Sequence, residues 1–294
     1  MPAQQAKKDI RKKIKLGKKL IGELRPFNNK IVKDVVRSFA KNGEIISAGK
    51  FNEDMESILL NHYERTGDQF DGDISKTLPK EIAVTSNETA GIAAILTAFY
   101  LARSVNQTGR IMNTTQININ SSILAGTRQA VADTIPGSFP SRREIALNAG
   151  AVLKRKLNGR NSGIAGTETQ AVAEEAKQVE AEVLTLGAPK EVEPDKEWVT
   201  AGDEVVRHPP DSAFNHVAAD SQKVKLNDLF EVSGQLLKMP GDTSHGASLG
   251  NVINCRCASV VDRESVISAR KFIFAADAEL EVETDVPVPE FAFT

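Results

Sequence analysis

The only two cysteines of the chain lie two residues apart, in the segment Asn254-Cys255-Arg256-Cys257. Alternation of apolar and polar residues predicts a strand over 252–261, and residues two apart on a strand point to the same face. Both thiols should therefore face one side, where they supply half of a tetrahedral zinc site. A disulfide between the two is unfavourable, because the backbone of a single strand resists the closure geometry.

The other ligands of such a site have to come from the same C-terminal third of the chain. Zinc accepts histidine readily and aspartate less often, and the candidates there are His208, His216, Asp220, Asp242 and His245. A small, turn-rich segment with few large apolar residues gains most from a metal. The alternative is that the two thiols are buried as small hydrophobic side chains.

A cysteine close to a histidine is also the pair that a thiolate nucleophile and its base require, with His216 or His245 as the base. The sequence contains no nucleophile elbow, Walker loop or paired-carboxylate signature. The acidic segment around Asp68 resembles the start of a calcium loop, but Pro79 stands where that loop needs its glutamate. These patterns favour a protein that is not an enzyme.

Charge is distributed unevenly, although the formal net charge is only −2. Between Met1 and Arg37 there are twelve Lys or Arg residues and three acidic ones, whereas every charged residue after Lys271 is acidic. Such a basic arm and acidic tail predict two partner surfaces, or else solvated chain ends. The predicted surface for DNA phosphates or an acidic protein consists of Lys7, Lys8, Arg11, Lys12, Lys13, Lys15, Lys18 and Lys19.

Composition excludes several classes of protein. Aromatic residues make up only 5% of the chain, which argues against a protein that binds single strands by stacking on their bases. Without aromatic platforms or a base-reading motif, any contact with DNA should be independent of sequence. The longest apolar stretch, over 89–102, has fourteen residues, fewer than the roughly twenty that cross a membrane. Charge recurs too early at the N-terminus for a signal peptide. We therefore expect that the protein has no membrane partner, and that it folds and stays in a reducing cytoplasm.

The first two thirds of the chain carry helical periodicity. Pro26 should end the first helix, and Asn158-Gly159 should end a later one that a capping box opens at Ser141 and Glu144. Thr114-Thr115 should cap another. The predicted helices cover residues 5–25, 28–41, 51–65, 88–105, 114–131, 141–157 and 168–186, and the last of them carries a narrow packing seam from Val172 to Leu186.

After Trp198 short runs of period two alternate with turns, which predicts strands over 198–206, 223–226, 230–232 and 252–261. The expected fold class is α+β, with a mostly helical N-terminal and middle body and a small β-rich, turn-rich C-terminal module. The predicted regions are a basic helical region (1–110), a helical middle region (111–195), the β-rich module (196–262) and an acidic tail that needs a partner to become ordered (263–294).

Seven short motifs follow one another over about 95 residues from Gly163 onward. In this order they resemble the bacteriophage minor head, or head morphogenesis, proteins similar to phage Mu protein F. The motifs are Ala165-Gly166-Thr167-Glu168-Thr169, Lys196–Asp203, Val206-Arg207, His216–Gln222, Phe230–Gly234, Met239–Asp242 and Val252–Cys257.

The resemblance selects His216 as the ligand that joins Cys255 and Cys257, because Asp220 and Gln222 follow it at the family's spacing. The inserted segment His208-Pro209-Pro210-Asp211 leaves His208 as the alternative ligand. A second departure is Ser221, which stands where the family usually has glycine, so that the turn at Ser221 must avoid a positive φ or accept strain. The structural residues that the motifs mark are Trp198, Asp203, Arg207, Asp220, Gln222, Pro240, Gly241, Asp242, Asn254 and Arg256. Among them we expect Trp198 in the core, and a buried charge network of Asp203, Arg207 and Asp242.

The resemblance implies a virion protein, internal or portal-proximal, that acts in head assembly and in genome packaging or ejection. Its partners would be the portal or major capsid protein, together with packaged DNA bound without regard to sequence. It would lie inside the head, and in the host cytoplasm during assembly. The alternatives are a non-specific DNA-binding protein carried with the genome, and a packaged cysteine- or metal-dependent enzyme or effector.

Overall fold

The computed structural model describes residues 2–283, and the side chains of residues 3–276. The chain is about 66% helical with a small antiparallel sheet region near the C-terminus, which confirms the predicted α+β fold class. The helices are α1 (Pro2–Asn42), α2 (Asn52–Phe70), α3 (Ser86–Asp133), α4 (Arg142–Leu184), the short α5 (Leu249–Val252) and α6 (Arg263–Glu283). The strands are β1 (Asp195–Val199), β2 (Lys223–Lys225), β3 (Phe230–Val232), β4 (Gln235–Leu237) and β5 (Ala258–Val261). Between residues 2 and 283, none of the helices has an apolar stretch sufficient for a membrane crossing.

The helices are fewer and longer than predicted, and the predicted breaks at Pro26, at Thr114-Thr115 and at Asn158-Gly159 are wrong. Pro26 is exposed, and its missing N–H costs the helix about 3 kcal/mol. Burial of the neighbouring Leu24 and Phe27 in one core offsets that cost. Helix α3 also runs through residues 110 and 111, so the predicted boundary there lies inside one helix.

Thr115 does not cap a helix, because its hydroxyl is already used within α3. It is buried, and its Oγ1 donates to the carbonyl of Ile111 at 2.8 Å. Gly67 likewise lies inside α2 and does not end it. A Cβ there would overlap the hydroxyl of Tyr100, so this glycine permits a close contact between α2 and α3.

The predictions that depend on a complete local motif are confirmed. Ser141 accepts from the backbone N–H of Glu144 at 3.2 Å and donates from its own N–H to the Glu144 carboxylate at 2.7 Å, which opens α4. The other end of α4 is followed by Gly187 at a φ of 91°. Helix α1 ends at Asn42, and Gly43 follows with a φ of 73°.

The second half of α4 forms the centre of the molecule. Residues 168–174 and 176–181 are all buried, so the predicted narrow packing seam is wrong: other elements surround this part of the helix on every side. It carries seven buried polar side chains, and each has a hydrogen-bond partner: Glu168, Thr169, Gln170, Glu174, Lys177, Gln178 and Glu180. Since unpaired buried charges are costly, these pairings determine how α1 and the C-terminal module dock on α4.

Two antiparallel sheets make up the C-terminal module. The larger has the strand order β2-β1-β5, with Lys196 of β1 opposite Val261 of β5, and the smaller is the β3-β4 hairpin. The predicted strands over 198–206 and 252–261 are too long, since β1 ends at Val199 and β5 begins at Ala258. Asn254 lies in a turn with a φ of 54°, and this turn separates α5 from the cysteine segment.

The region predicted as an acidic tail begins with a helix. Arg270 of α6 is buried and donates to the backbone carbonyls of Ile82 and Leu184, at 2.9 and 2.8 Å, and to the carboxylate of Glu88 at 2.6 Å. These contacts hold the part of α6 around Arg270 against the helical body. The Val-Pro-Val-Pro-Glu segment at 286–290 lies outside the described residues.

Candidate metal centre in the C-terminal module

The three predicted ligands meet inside the module. All three side chains are buried, and their ligand atoms lie within 4.8 Å of one another. His216 Nδ1 is 3.4 Å from the Sγ of Cys257 and 3.5 Å from the Sγ of Cys255. The expectation that both thiols face one side is therefore met, although they lie in the loop before β5 and not on a strand.

These separations suit a tetrahedral zinc ion. With Zn–S of about 2.3 Å and Zn–N of about 2.0 Å, tetrahedral angles place nitrogen and sulfur about 3.5 Å apart. The two Nδ1–Sγ distances of 3.4 and 3.5 Å are close to that value. A donor set of two thiolates and one imidazole also binds zinc in preference to magnesium or calcium, which favour oxygen ligands.

Asn251 orients the imidazole. His216 Nε2 lies 2.7 Å from the Oδ1 of Asn251, whose Nδ2 donates to the carbonyl of Val232 at 3.2 Å. Because this amide already donates to a carbonyl, its oxygen has to face the histidine, and Nε2 must carry the proton. In the neutral imidazole the lone pair of Nδ1 then points towards the two sulfurs, as a metal ligand requires; only the imidazolium, with a proton on each nitrogen, donates from Nδ1 to a thiolate.

The cysteine loop is held from outside by α1 and α4. The carbonyl of Cys257 accepts from Lys13 Nζ and from Gln170 Nε2, both at 2.9 Å. The backbone N–H of Asn254 donates to Thr167 Oγ1 at 2.9 Å. These contacts position the sulfurs without using them as hydrogen-bond partners.

Aromatic side chains close the inner wall of the site. Trp198 is buried, as predicted, and its ring lies edge-on to that of His216 with centroids 5.8 Å apart. The ring of Phe230 also packs edge-on to the indole, with centroids 5.3 Å apart. Together with the cysteines, these residues form the small core of the module.

The ionisation of the three groups is coupled. The pKa of Cys255 is well below its usual value, because the hydrogen bond from the Cys257 thiol, and then that from His216, stabilise the thiolate. The pKa of Cys257 is raised well above its usual value by its bond to that thiolate and by burial. Burial is the largest single influence and lowers the pKa of His216, but the hydrogen bond to Cys255, the charge of Cys255 and the hydrogen bond to Asn251 together leave that pKa raised. The lowered pKa of Cys255 favours its thiolate, which is the form that binds metal.

The other candidate ligands lie elsewhere. Asp220 accepts from the backbone N–H of Thr200 at 2.7 Å, and Asp242 bonds to the side chain of His245 at 3.1 Å. Among the described residues, the cluster that could hold a metal contains His216 and neither of these groups nor His208. The structure therefore supports His216 over His208 as the third ligand.

The predicted buried network of Asp203, Arg207 and Asp242 is wrong. Arg207 donates to the backbone carbonyls of Asn251 and Ile253, because the chain turns its peptide oxygens towards the guanidinium at that point. Asp203 instead pairs with Arg256 at 2.6 Å near the surface. Asp242 is buried, but its carboxylate accepts the N–H groups of its own turn, at Lys238 and Ser244.

The remaining motif residues stabilise turns. Ser221 adopts a φ of 65°, and so accepts the conformation for which the family's glycine is suited. Its N–H donates to the carbonyl of Trp198 at 2.7 Å. Gln222 accepts the N–H of Glu231 at 2.9 Å. Gly241, after Pro240, has a φ of 93° and packs against α4.

Two of the eight residues predicted to form the basic surface are not fully exposed. Lys13 is buried and pairs with Glu174 at 2.8 Å, so its inclusion in a surface for DNA or an acidic protein is wrong. Lys12 is half-buried and pairs with Asp73 at 3.0 Å. The exposed members are Lys7, Lys8, Arg11, Lys15, Lys18 and Lys19.

No protein-family model matches this chain, and neither the curated proteins nor the solved structures give a match. The resemblance to minor head proteins therefore remains a prediction that depends on the seven motifs.

Proposed function

We propose that this chain is a minor head protein of a tailed bacteriophage, internal or portal-proximal, that acts in head assembly and in genome packaging or ejection. The observation that supports the proposal is the contact between motifs that lie far apart in the sequence. Thr167 of the first motif bonds to Asn254 of the last at 2.9 Å. Gln170, directly after the first motif, bonds to the carbonyls of Pro240 and Cys257 in the sixth and seventh.

We propose further that a structural zinc ion holds this module together. His216, Cys255 and Cys257 supply the donors, and Asn251 fixes the tautomer of the histidine. The core of the module is small, so that the ion would contribute a large part of its stability. In this role the module is a rigid docking element that α4 presents to the portal or the major capsid protein.

Mass spectrometry of purified phage particles tests the proposed role directly. Particles induced from the strain that encodes the chain should contain it, and nuclease-treated empty heads should retain it if it is bound to the portal or capsid. A second test is co-purification of the portal protein with the tagged chain, using the double variant Cys255→Ser/Cys257→Ser as the comparison. Absence of the chain from particles would contradict the proposal.

Binding of DNA is the second candidate function, and the exposed face of α1 favours it. Lys7, Lys8, Arg11, Lys15 and Lys18 are exposed, and among the described side chains, those of residues 3–276, none of them has a carboxylate within 4 Å. Cations arranged in this way on one helix bind phosphates without regard to sequence.

Charge reversal separates this candidate from the first. The triple variant Lys8→Glu/Arg11→Glu/Lys15→Glu should lose retention on duplex DNA at low salt and keep portal binding if the two functions are separate. The matched control changes three exposed lysines elsewhere by the same charge: Lys76, Lys80 and Lys271. Equal loss of DNA retention in the control would exclude a specific role for α1.

A cysteine-dependent enzyme is the third candidate, because Cys255, His216 and Asn251 lie in the order of a thiol nucleophile, its base and an orienting amide. The variant Cys255→Ala decides between the two roles of the thiol. Loss of an activity with the fold retained would support catalysis, whereas loss of the fold would support the structural role.

A further inference from the structure

All three proposed ligands line one cavity of about 200 Å³. Val205, Val206, Arg207, Asn254 and Arg256 form the rest of its wall. A metal ion between the two sulfurs and Nδ1 would therefore have one side against the core of the module and one side towards the cavity. Of the described residues, the cluster supplies three donors and not the four of a closed tetrahedral site.

The cavity opens beside a larger groove of about 350 Å³ between α1, α4 and the cysteine loop. The two share Val205, Asn254, Cys255 and Arg256 as walls. The far wall of the groove is apolar, with three isoleucines of α1, and carries one exposed cation, Lys18. The ligand that enters the cavity can thus extend along an apolar surface with a cationic edge.

Arg207 gives the cavity its charge. Its guanidinium donates to two backbone carbonyls, and within the described part of the chain it has no carboxylate within 4 Å. The backbone N–H of His216 also bonds to the Arg207 carbonyl at 2.9 Å, which keeps the arginine beside the ligand histidine. Two thiolates and a neutral imidazole cancel the charge of Zn²⁺, so the positive charge of Arg207 remains for an incoming anion.

The geometry points to an open fourth coordination position that binds the carboxylate of an acidic peptide segment from a partner protein. This inference rests on the proposed metal site and names what completes it. One carboxylate oxygen would occupy the open position on the ion, and Arg207 would stabilise the second oxygen. A peptide suits this place better than a nucleic acid does, because the adjoining groove is lined by isoleucine side chains.

The same cavity is poorly suited to hydrolysis. In zinc metalloproteases a glutamate beside the metal acts as general base for the attacking water. The described residues of the cavity wall include no Asp or Glu, and His216 is itself a proposed ligand. The open position therefore serves binding.

Cobalt substitution tests this inference, with Co²⁺ as the probe ion on the full-length chain. Thiolate-to-cobalt charge-transfer bands report whether the site binds metal, and the visible d–d bands report its coordination. Acetate should change the d–d bands saturably, and phosphate at the same ionic strength should do so much more weakly. Failure to bind Co²⁺ would overturn the metal site together with this inference. Binding of Co²⁺ without a response to acetate would overturn this inference alone.

Variants test whether Arg207 stabilises the anion at the open coordination position. Arg207→Met should weaken acetate binding about tenfold while the charge-transfer bands stay, because a charge-assisted hydrogen bond is lost. Arg207→Lys, which keeps the charge, should lose less, and Arg155→Met, at an exposed arginine of α4, should equal the wild type. A change in the d–d bands caused by His208→Gln alone would show that His208 closes the site, and would overturn the open position.

Discussion

Lys13 donates from its ammonium to the backbone carbonyl of Cys257 at 2.9 Å, although 244 residues separate the two in the chain. The same ammonium pairs with Glu174 of α4 at 2.8 Å. Glu174 in turn accepts the N–H of Ser259 in β5 and the ammonium of Lys177. One buried charge cluster thus joins the first helix, the central helix and the cysteine loop.

Removal of the Lys13 charge should be strongly destabilising. Lys13→Met leaves Glu174 buried with one cation fewer, which should lower the free energy of unfolding by about 3 kcal/mol. Lys15→Met changes an exposed lysine on the same helix and should stay within about 0.5 kcal/mol of the wild type. Urea denaturation of the three proteins measures the difference. Equal stabilities would mean that the cluster does not hold α1 in place.

Two glycines of α3 should respond in opposite directions to alanine. A Cβ on Gly126 would lie 2.5 Å from the backbone nitrogen of Ala149, so Gly126→Ala must push α3 and α4 apart and should destabilise the protein by about 1 to 3 kcal/mol. Gly109 has no atom within 4 Å of the equivalent position, and Gly109→Ala should stabilise the helix by up to about 1 kcal/mol. Thermal melts of the two variants measure these changes in stability. A change in the same direction for both would contradict the close contact of α3 and α4 at Gly126.

His62 should make the protein less stable as the pH falls below neutrality. It is buried against Thr169, and burial, followed by the charges of Arg65 and Lys19, lowers its pKa to about 3. In the unfolded chain its pKa is about 6.5, so between these values the unfolded state binds the extra proton and stability is lost with decreasing pH.

The size of this effect follows from the difference in pKa. At pH 5 the wild type should lose about 2 kcal/mol relative to pH 7 from this residue alone. His62→Gln should lose that much less over the same interval, whatever its stability at pH 7. Denaturation curves at the two pH values measure the difference, and parallel losses in both proteins would show that His62 can become protonated in the folded state.

Asn251 should control metal affinity without binding the ion. Asn251→Ala removes the acceptor that fixes the proton on His216 Nε2, and should weaken zinc binding by about 10- to 100-fold. Asn227→Ala changes an exposed asparagine whose side chain makes none of the hydrogen bonds found in the described residues, and should bind zinc like the wild type. Competition with a chromophoric chelator gives both affinities. Unchanged affinity in Asn251→Ala would remove Asn251 from the site.

The sequence predicted those features that depend on a few neighbouring residues. The capping box at Ser141, the end of α4 before Gly187 and the burial of Trp198 are examples. It failed where a long helix continues through a local stop signal, as at Pro26. There the outcome depends on the burial of residues such as Leu24 and Phe27 against distant elements, which no local pattern contains.

For the candidate site, sequence patterns were sufficient to select His216, Cys255 and Cys257 but not the residues that support them. Asn251 has no spacing or periodicity that marks it as a partner of the histidine. Lys13 did carry a signal, because it occurs on the same side of α1 as the buried Ile10 and Leu20. A lysine at such a position requires a buried carboxylate, and only the fold shows that this is Glu174.

The central claim is that His216, Cys255 and Cys257 bind one structural zinc ion, and elemental analysis of the purified chain, combined with thermal melts with and without chelator, tests it most directly. We expect one zinc per chain and a lower melting temperature after chelation, with both effects absent in Cys255→Ser/Cys257→Ser. A chain without metal whose melting temperature chelator does not change would contradict the claim. The two thiols would then be buried small side chains, and the exposed cations of α1 would become the first place to look for function.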